Sequence, residues 1–362
     1  MKNKNRHSLC MHTFLKKDIK QRKELLLAKQ KRAGQVKTGK VSETVLKRSV
    51  FKQIKRRRSE VMLHAEHGED CTAFQVAPDE MVVLSTDPIT GTAQELGILS
   101  VHTTINDIVT SGAEAIGILV SILLPENARE IVLKRLMGEM ESVCNQLNIE
   151  ILGGHTEVSP IVKQPLLTIT GVGKVKKGEL ITTKDLKAGD ELVMTKWTGL
   201  EGTAILANDH MEELTTRYTK EFIAGAKEFL QEISVVKEAH IAKKVGVSCM
   251  HDITEGGVYG ALWEMAAAYG IGFEVELERI PIRQETVEIC EFYDLNPYQL
   301  MSGGCMLIGT SHGSKLVEAL KQEGIPAAVI GRAIEGNDKV VLREGERFYL
   351  EPTKSDELYK VQ

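Results

Sequence analysis

No two of the six cysteines, Cys10, Cys71, Cys144, Cys249, Cys290 and Cys305, lie within a few residues of each other. That scatter excludes a Cys-x-x-Cys redox pair, a zinc ribbon and a disulfide framework. No apolar run approaches the roughly 20 residues that span a bilayer. The stretch Leu9–Leu15 is short and broken by His12, which is too little for the apolar core of a secretory signal. The expectation is a cytoplasmic protein with no membrane contact. The commonest nucleotide and hydrolase signatures are missing as well. Gly34 to Gly39-Lys40 approaches a phosphate-binding loop, but Val41 stands where its hydroxyl should be. Gly171-Val172-Gly173 is followed by Lys176 where a dinucleotide fingerprint needs glycine. Gly309-Thr310-Ser311-His312-Gly313 matches a nucleophile elbow, yet no histidine follows His312 to complete a triad, so it reads as a strand-to-helix turn.

What is present begins with an uneven charge. The 362 residues carry a net −4, but residues 1–60 hold twenty basic and four acidic residues. The remainder is therefore strongly acidic. The basic arm, residues 1–35, reads as a solvated, partly helical tail. It has no interleaved aromatics and no recognisable nucleic-acid module, which argues against RNA as a partner. At 42% hydrophobic and 27% charged, with 31 glycines, the whole chain has the composition of a globular α/β protein rich in tight turns.

Hydrophobic periodicity divides that remainder in two. In the first unit, residues 36–178, Met81–Ser85 reads as a strand ending at Thr86-Asp87-Pro88, where the proline interrupts a ladder. Gly97–Val109 and Asn127–Leu147 read as helices, the second with Leu133, Leu136, Met140 and Val143 on one face. Gly117–Leu124, Glu150–Leu152 and Leu166–Val172 read as strands, and Gly153–Glu157 as a loop. The polar stretch Gly178–Gly189 marks the boundary. The second unit, residues 179–352, alternates strands at Glu191–Thr195, Gly272–Glu276, Met306–Gly309 and Ala327–Ile330 with helices at Thr216–Gln231, Val236–Val245, Gln284–Phe292 and Gly313–Glu323. Residues 353–362 are left as a short tail. The expected class is α/β (α+β) in two domains.

Four segments repeat one design, an acid at a strand end or helix mouth beside Gly or Thr. They are Gly68-Glu69-Asp70-Cys71-Thr72, Ser85-Thr86-Asp87-Pro88, Ile105-Asn106-Asp107-Ile108 and His251-Asp252-Ile253-Thr254-Glu255-Gly256-Gly257. Gly153-Gly154-His155-Thr156-Glu157 is a weaker fifth. Carboxylates gathered in one cleft repel and raise each other's pKa. A magnesium ion, which prefers a few carboxylates plus substrate phosphates, relieves that repulsion. The two Gly pairs would let backbone N–H groups approach phosphate oxygens, and Gly256-Gly257 opens a helix whose N-terminus favours an anion. Thr86, Thr156 and Thr254 add hydroxyl donors.

In that order the segments resemble the aminoimidazole-ribonucleotide synthetase (PurM-like) superfamily. Its members include selenophosphate synthetase, thiamine-monophosphate kinase and the hydrogenase maturation factor HypE. The resemblance covers about residues 39–350. It is strongest to the HypE type through Ile280-Pro281-Ile282, Leu295-Asn296-Pro297-Tyr298 and Gly303-Gly304. It implies an N-terminal, ATP-binding domain whose sheet pairs with a second copy in a homodimer, and a C-terminal α/β domain. It implies magnesium on Asp70, Asp87, Asp107 and Asp252, and ATP near Asn106, the 153–157 segment with His155 and Glu157, and the Thr254–Gly257 turn. The implied activity is ATP-dependent phosphorylation of an oxygen on an unnamed acceptor. The alternative is a nucleotide-binding regulator or maturation-complex partner without turnover. Two departures qualify the likeness. His155 stands where the HypE type carries Asp, and the chain as given closes on Tyr359-Lys360-Val361-Gln362 rather than on that type's terminal cysteine.

Overall fold

The computed structural model describes residues 39–40, 43–64, 73–89, 95–182, 185–353 and 355–361. The basic arm and Asp70 lie outside the described residues. Fourteen strands are seen among them: β1 Gly39–Lys40, β2 Val61–Leu63, β3 Ala73–Phe74, β4 Glu80–Ile89, β5 Glu114–Leu124, β6 Glu150–Val158, β7 Leu166–Lys176, β8 Glu191–Thr195, β9 Cys249–Ile253, β10 Gly272–Glu276, β11 Cys305–Thr310, β12 Ala327–Ile334, β13 Lys339–Arg343 and β14 Glu346–Tyr349. They form a five-stranded sheet ordered β1-β6-β5-β7-β4, a seven-stranded sheet ordered β14-β13-β10-β12-β8-β11-β9, and the hairpin β2-β3. The main helices are α1 Leu96–Thr110, α2 Glu130–Leu147, α3 Leu200–Asp209, α4 Lys220–Lys227, α5 Val236–Val245, α6 Gly257–Tyr269, α7 Gln284–Tyr293 and α8 Gly313–Gln322.

Composition explains why α1 lies in the middle. Asp107 and His102 are its only ionisable residues, burial lowers the His102 imidazole to about 4, and eleven of its fifteen residues are buried. A helix with so little polar surface has to be covered on several sides. One apolar cluster joins Ile105 and Val109 of α1 and Leu133, Leu136 and Met140 of α2 to Val193 of β8, Met250 of β9, Met306 and Ile308 of β11 and Leu316 of α8. Full burial of each such side chain contributes about 1.5–3 kcal/mol, so this shared core holds the two sheets in a fixed relation. Polar ties reinforce it. The Asn106 amide donates to Ile233 O at 2.9 Å and its oxygen accepts the Val235 N–H at 3.0 Å. Lys196 Nζ meets Glu238 Oε1 at 2.6 Å and also donates to Glu232 O and Ser234 O. The 232–238 segment is thus held to the helix that carries Asp107.

Several elements differ from their sequence expectation. β4 continues through Asp87 and Pro88 to Ile89, because it is an edge strand and needs a ladder on one side alone. The Gly153–Glu157 segment is not a loop but the middle of β6, parallel to β5. The single helix expected over residues 216–231 is instead α4 followed by a 3₁₀ turn at Glu228–Glu232. The segment read as a short tail is packed: Asp356 is 2% exposed and Leu358 is fully buried. Among the described residues no helix is long and apolar enough to cross a membrane.

Candidate functional site

Three of the four expected carboxylates converge where the two sheets meet. Asp87 comes from edge strand β4, Asp107 from the last turns of α1, and Asp252 from β9, the edge of the other sheet. Ser85, two residues before Asp87 on the same face of β4, links them. Its hydroxyl lies 2.7 Å from Asp107 Oδ2 and 3.4 Å from Asp87 Oδ2. Ser85 was not singled out from sequence; the period-2 spacing to Asp87 was the available signal.

The electrostatics follow from that crowding. Burial, then the charge of Asp252 and the proximity of Asp87, push the Asp107 carboxyl up to about 8, although the Ser85 hydroxyl opposes the shift. Burial also pushes Asp252 up, with neighbouring His251 and a hydrogen bond to Asp107 working against it. Asp252 is 6% exposed, and its Oδ2 is buried without a hydrogen-bond partner. A buried carboxyl oxygen without a partner, beside two more carboxyls, is a place where a hard divalent cation would displace the retained protons and relieve the crowding. Among the described residues no three acidic, His or Cys side chains close into a ready-made cation cage.

The remaining expected residues are divided by the pleat. Strand pairing aligns Asp87 with Ile169, Val120 and Gly154 in one row across the sheet, on the face covered by the helices. The row Pro88, Thr168, Ser121, His155 belongs to the other face, as do Thr86 and Glu157 by alternation. There Thr86 Oγ1 sits 2.9 Å from Thr170 Oγ1, and His155 Nε2 sits 3.1 Å from Glu157 Oε2. Gly153 and Thr156 lie in β6 as well. Thr254 caps the turn after β9, its carbonyl accepting the Ser302 N–H.

Contacts within the chain give three of these residues a structural part. Asn106 bonds the 233–235 backbone through both ends of its amide, which ties α1 to that segment. Gly154 has a packing reason: at φ +151, a Cβ would fall 1.9 Å from Val120 O. Gly256 does not offer a free N–H, since that group donates to Asp356 Oδ2 at 2.7 Å. Gly257 opens α6, and its own N–H returns to Thr254 O.

Comparison with known proteins identifies the family. Residues 68–175 match the model of the AIR synthase related protein N-terminal domain, and residues 187–343 that of the C-terminal domain. A hydrogenase expression/formation protein of Methanocaldococcus jannaschii is 25% identical over 313 residues, spanning 84% of this chain and 91% of that protein. Carbamoyl dehydratase HypE of Cupriavidus necator is 28% identical over 279 residues, 74% of this chain and 77% of its own. A crystal structure of hydrogenase maturation protein HypE in complex with ATP superposes with a TM-score of 0.74 at 18% identity, covering 88% of this chain and 97% of that one. The chain belongs to the AIR synthase related family, with both of that family's domains present, and resembles its HypE members.

Proposed function

We propose that the chain binds ATP with magnesium at the Asp87–Asp107–Asp252 junction and transfers the terminal phosphoryl group to an oxygen of a small or protein-borne acceptor. The observation that carries this reading is the convergence of three carboxylates from two domains around an orphaned buried oxygen. A bound magnesium ion would supply charge neutralisation for the triphosphate. The protein's share is to hold the ligands rigidly and to bring the acceptor in line, as in other phosphoryl transfers. The HypE relative crystallised with ATP, and the carbamoyl dehydratases, support an amide or carbamoyl oxygen as the acceptor class. Asp70, which precedes β3, would add a fourth carboxylate.

The functional unit in this reading is a homodimer. On the face of the five-stranded sheet away from α1 and α2, the β2–β3 hairpin packs on Val172, while at the β4 edge Val82 is 44% and Leu84 63% exposed beside Thr86; His155 and Glu157 lie on the same face three strands away. A second copy seated there would bury those apolar side chains and bring the second face's polar residues near a nucleotide. A reading without turnover is favoured by one feature: the His155–Glu157 pair ties up the carboxylate left in that segment.

ADP release measured with Mg–ATP against small carboxamides, carbamoyl donors and thiamine monophosphate separates the two. Phosphoryl transfer predicts acceptor-dependent ADP above the no-acceptor rate with at least one of them. Tight Mg–ATP binding with no acceptor-dependent release would favour the regulator.

A further inference from the structure

The structure assigns a positioning role to Asp356, a residue that no functional motif contains, and this assignment rests on the nucleotide reading above. The segment 355–361 folds back onto the C-terminal domain. Leu358 is fully buried in its core, and Glu357 accepts the Asn296 N–H at 3.0 Å. This docking sets the Asp356 carboxylate at the mouth of α6, where it is 2% exposed. Its Oδ2 accepts the Gly256 N–H at 2.7 Å, its Oδ1 accepts the Leu358 N–H at 2.8 Å, and the Met301 backbone N–H bonds to it as well. No cation shares the carboxylate among the described residues; backbone dipoles alone satisfy it.

Those donors belong to the segments that frame Asp252. Gly256 stands four residues after Asp252, at φ +81, a left-handed conformation that side chains resist. A Cβ there would sit 2.8 Å from Thr353 Oγ1, so the 353–356 stretch touches the turn at two points. From the other side, the Ser302 N–H holds Thr254 O at 3.3 Å. Asp356 joins the 254–257 turn to the 301–302 turn through one buried carboxylate, and β9 delivers Asp252 from that clamped turn. The same contact fills the anion-favouring end of α6 from within. The nucleotide's phosphates therefore approach Asp252 from the Asp87–Asp107 side and not along the α6 axis.

The test compares full-length wild type with Asp356→Ala and Asp356→Asn. The readouts are titration of AMPPCP with and without magnesium, and amide hydrogen exchange across residues 252–257. For Asp356→Ala the expected result is faster exchange in that turn and a Mg–AMPPCP affinity weakened at least about tenfold, while metal-free AMPPCP affinity changes less than about twofold. Formate, but not chloride at equal ionic strength, restores the lost affinity by refilling the carboxylate position. Asp356→Asn keeps one acceptor oxygen and a similar volume. It falls between the two, and it carries the test if the alanine variant does not fold. Wild-type exchange and wild-type magnesium dependence in both variants would overturn the assignment. An equal loss of affinity with and without magnesium would also overturn it, because that marks general destabilisation. If the wild type binds no Mg–AMPPCP, the nucleotide reading fails, and exchange in the 252–257 turn still reports on the clamp separately.

Discussion

Asp252→Asn is expected to stabilise the nucleotide-free protein at alkaline pH while abolishing Mg–ATP binding. In the free protein burial raises both carboxyls of the Asp107–Asp252 pair; the charge of Asp252 adds to the shift of Asp107, while the hydrogen bond to Asp107 opposes that of Asp252. The folded state therefore keeps protons that the unfolded chain releases. This contribution favours folding fully below the ordinary aspartate value near 3.9 and is lost as pH rises toward about 8, where Asp107 ionises. Removing the Asp252 charge lets Asp107 titrate nearer its usual range and flattens that decline. At pH 8.5 the variant is expected to exceed the wild type by about 1–3 kcal/mol, the penalty of a buried polar group without a partner. Chemical denaturation at pH 5, 7 and 8.5 measures it. Magnesium with nucleotide should erase the difference by stabilising the wild type alone. The affinity loss is set by deleting one member of a buried charge cluster, roughly 2–5 kcal/mol, or about 30-fold and upward. A variant less stable than wild type at every pH would show that Asp252 is a structural residue.

The second large effect is on folding. Gly154→Ala places a Cβ 1.9 Å from Val120 O and 2.8 Å from Val120 C, both rigid backbone atoms of the adjoining strand. β5 and β6 would have to separate in the middle of the sheet, and the φ of +151 adds strain. The expected loss is roughly 3–5 kcal/mol, in the range reserved for overpacking and special backbone sites. Gly138→Ala is the matched control. It lies inside α2 with nothing within 4 Å of the added Cβ, so it should gain about 0.5–1 kcal/mol from helix propensity. Thermal or urea unfolding of the pair should show opposite signs. Equal, small effects would mean that the β5–β6 register permits a side chain at Gly154, leaving phosphate approach as its reason to be glycine.

The fate of individual residues shows which parts of the fold the chain order carries. α2 and α5 are legible because each has one buried face at helical spacing, such as Leu133, Leu136, Met140 and Val143 in α2, and β8 because it is a short apolar run buried on both faces. Pro88 misleads because a proline reads as a strand stop unless the strand is known to be an edge, and that is a property of the assembled sheet. Gly153-Gly154 misleads in the same way: Gly154 answers to Val120 across the sheet, not to local turn geometry.

The site was legible only as a set of acids. Their separation in sequence gives no distance, and the meeting of Asp87, Asp107 and Asp252 depends on a core that spans both domains. The pleat is visible in sequence, yet which face is covered is not. Thr86 could therefore be placed next to Asp87 in the chain while lying on the opposite face of β4. Asn106 illustrates the limit of motif reasoning. It adjoins a site carboxylate in sequence, and its amide holds the 233–235 backbone instead. Asp356 reads locally as no more than the N-cap of the 357–360 turn, because its Gly256 partner comes from 100 residues away.

The central claim is that Asp87, Asp107 and Asp252 hold a divalent cation against ATP. Crystals grown with Mn2+ and AMPPCP test it most directly, because manganese substitutes for magnesium and scatters anomalously. The account predicts an anomalous peak within coordinating distance of at least two of those carboxylates, about 2.0–2.3 Å, bridged to the nucleotide's phosphates. Ordered nucleotide with manganese elsewhere, or an unchanged orphaned Asp252 oxygen beside bound nucleotide, would contradict it.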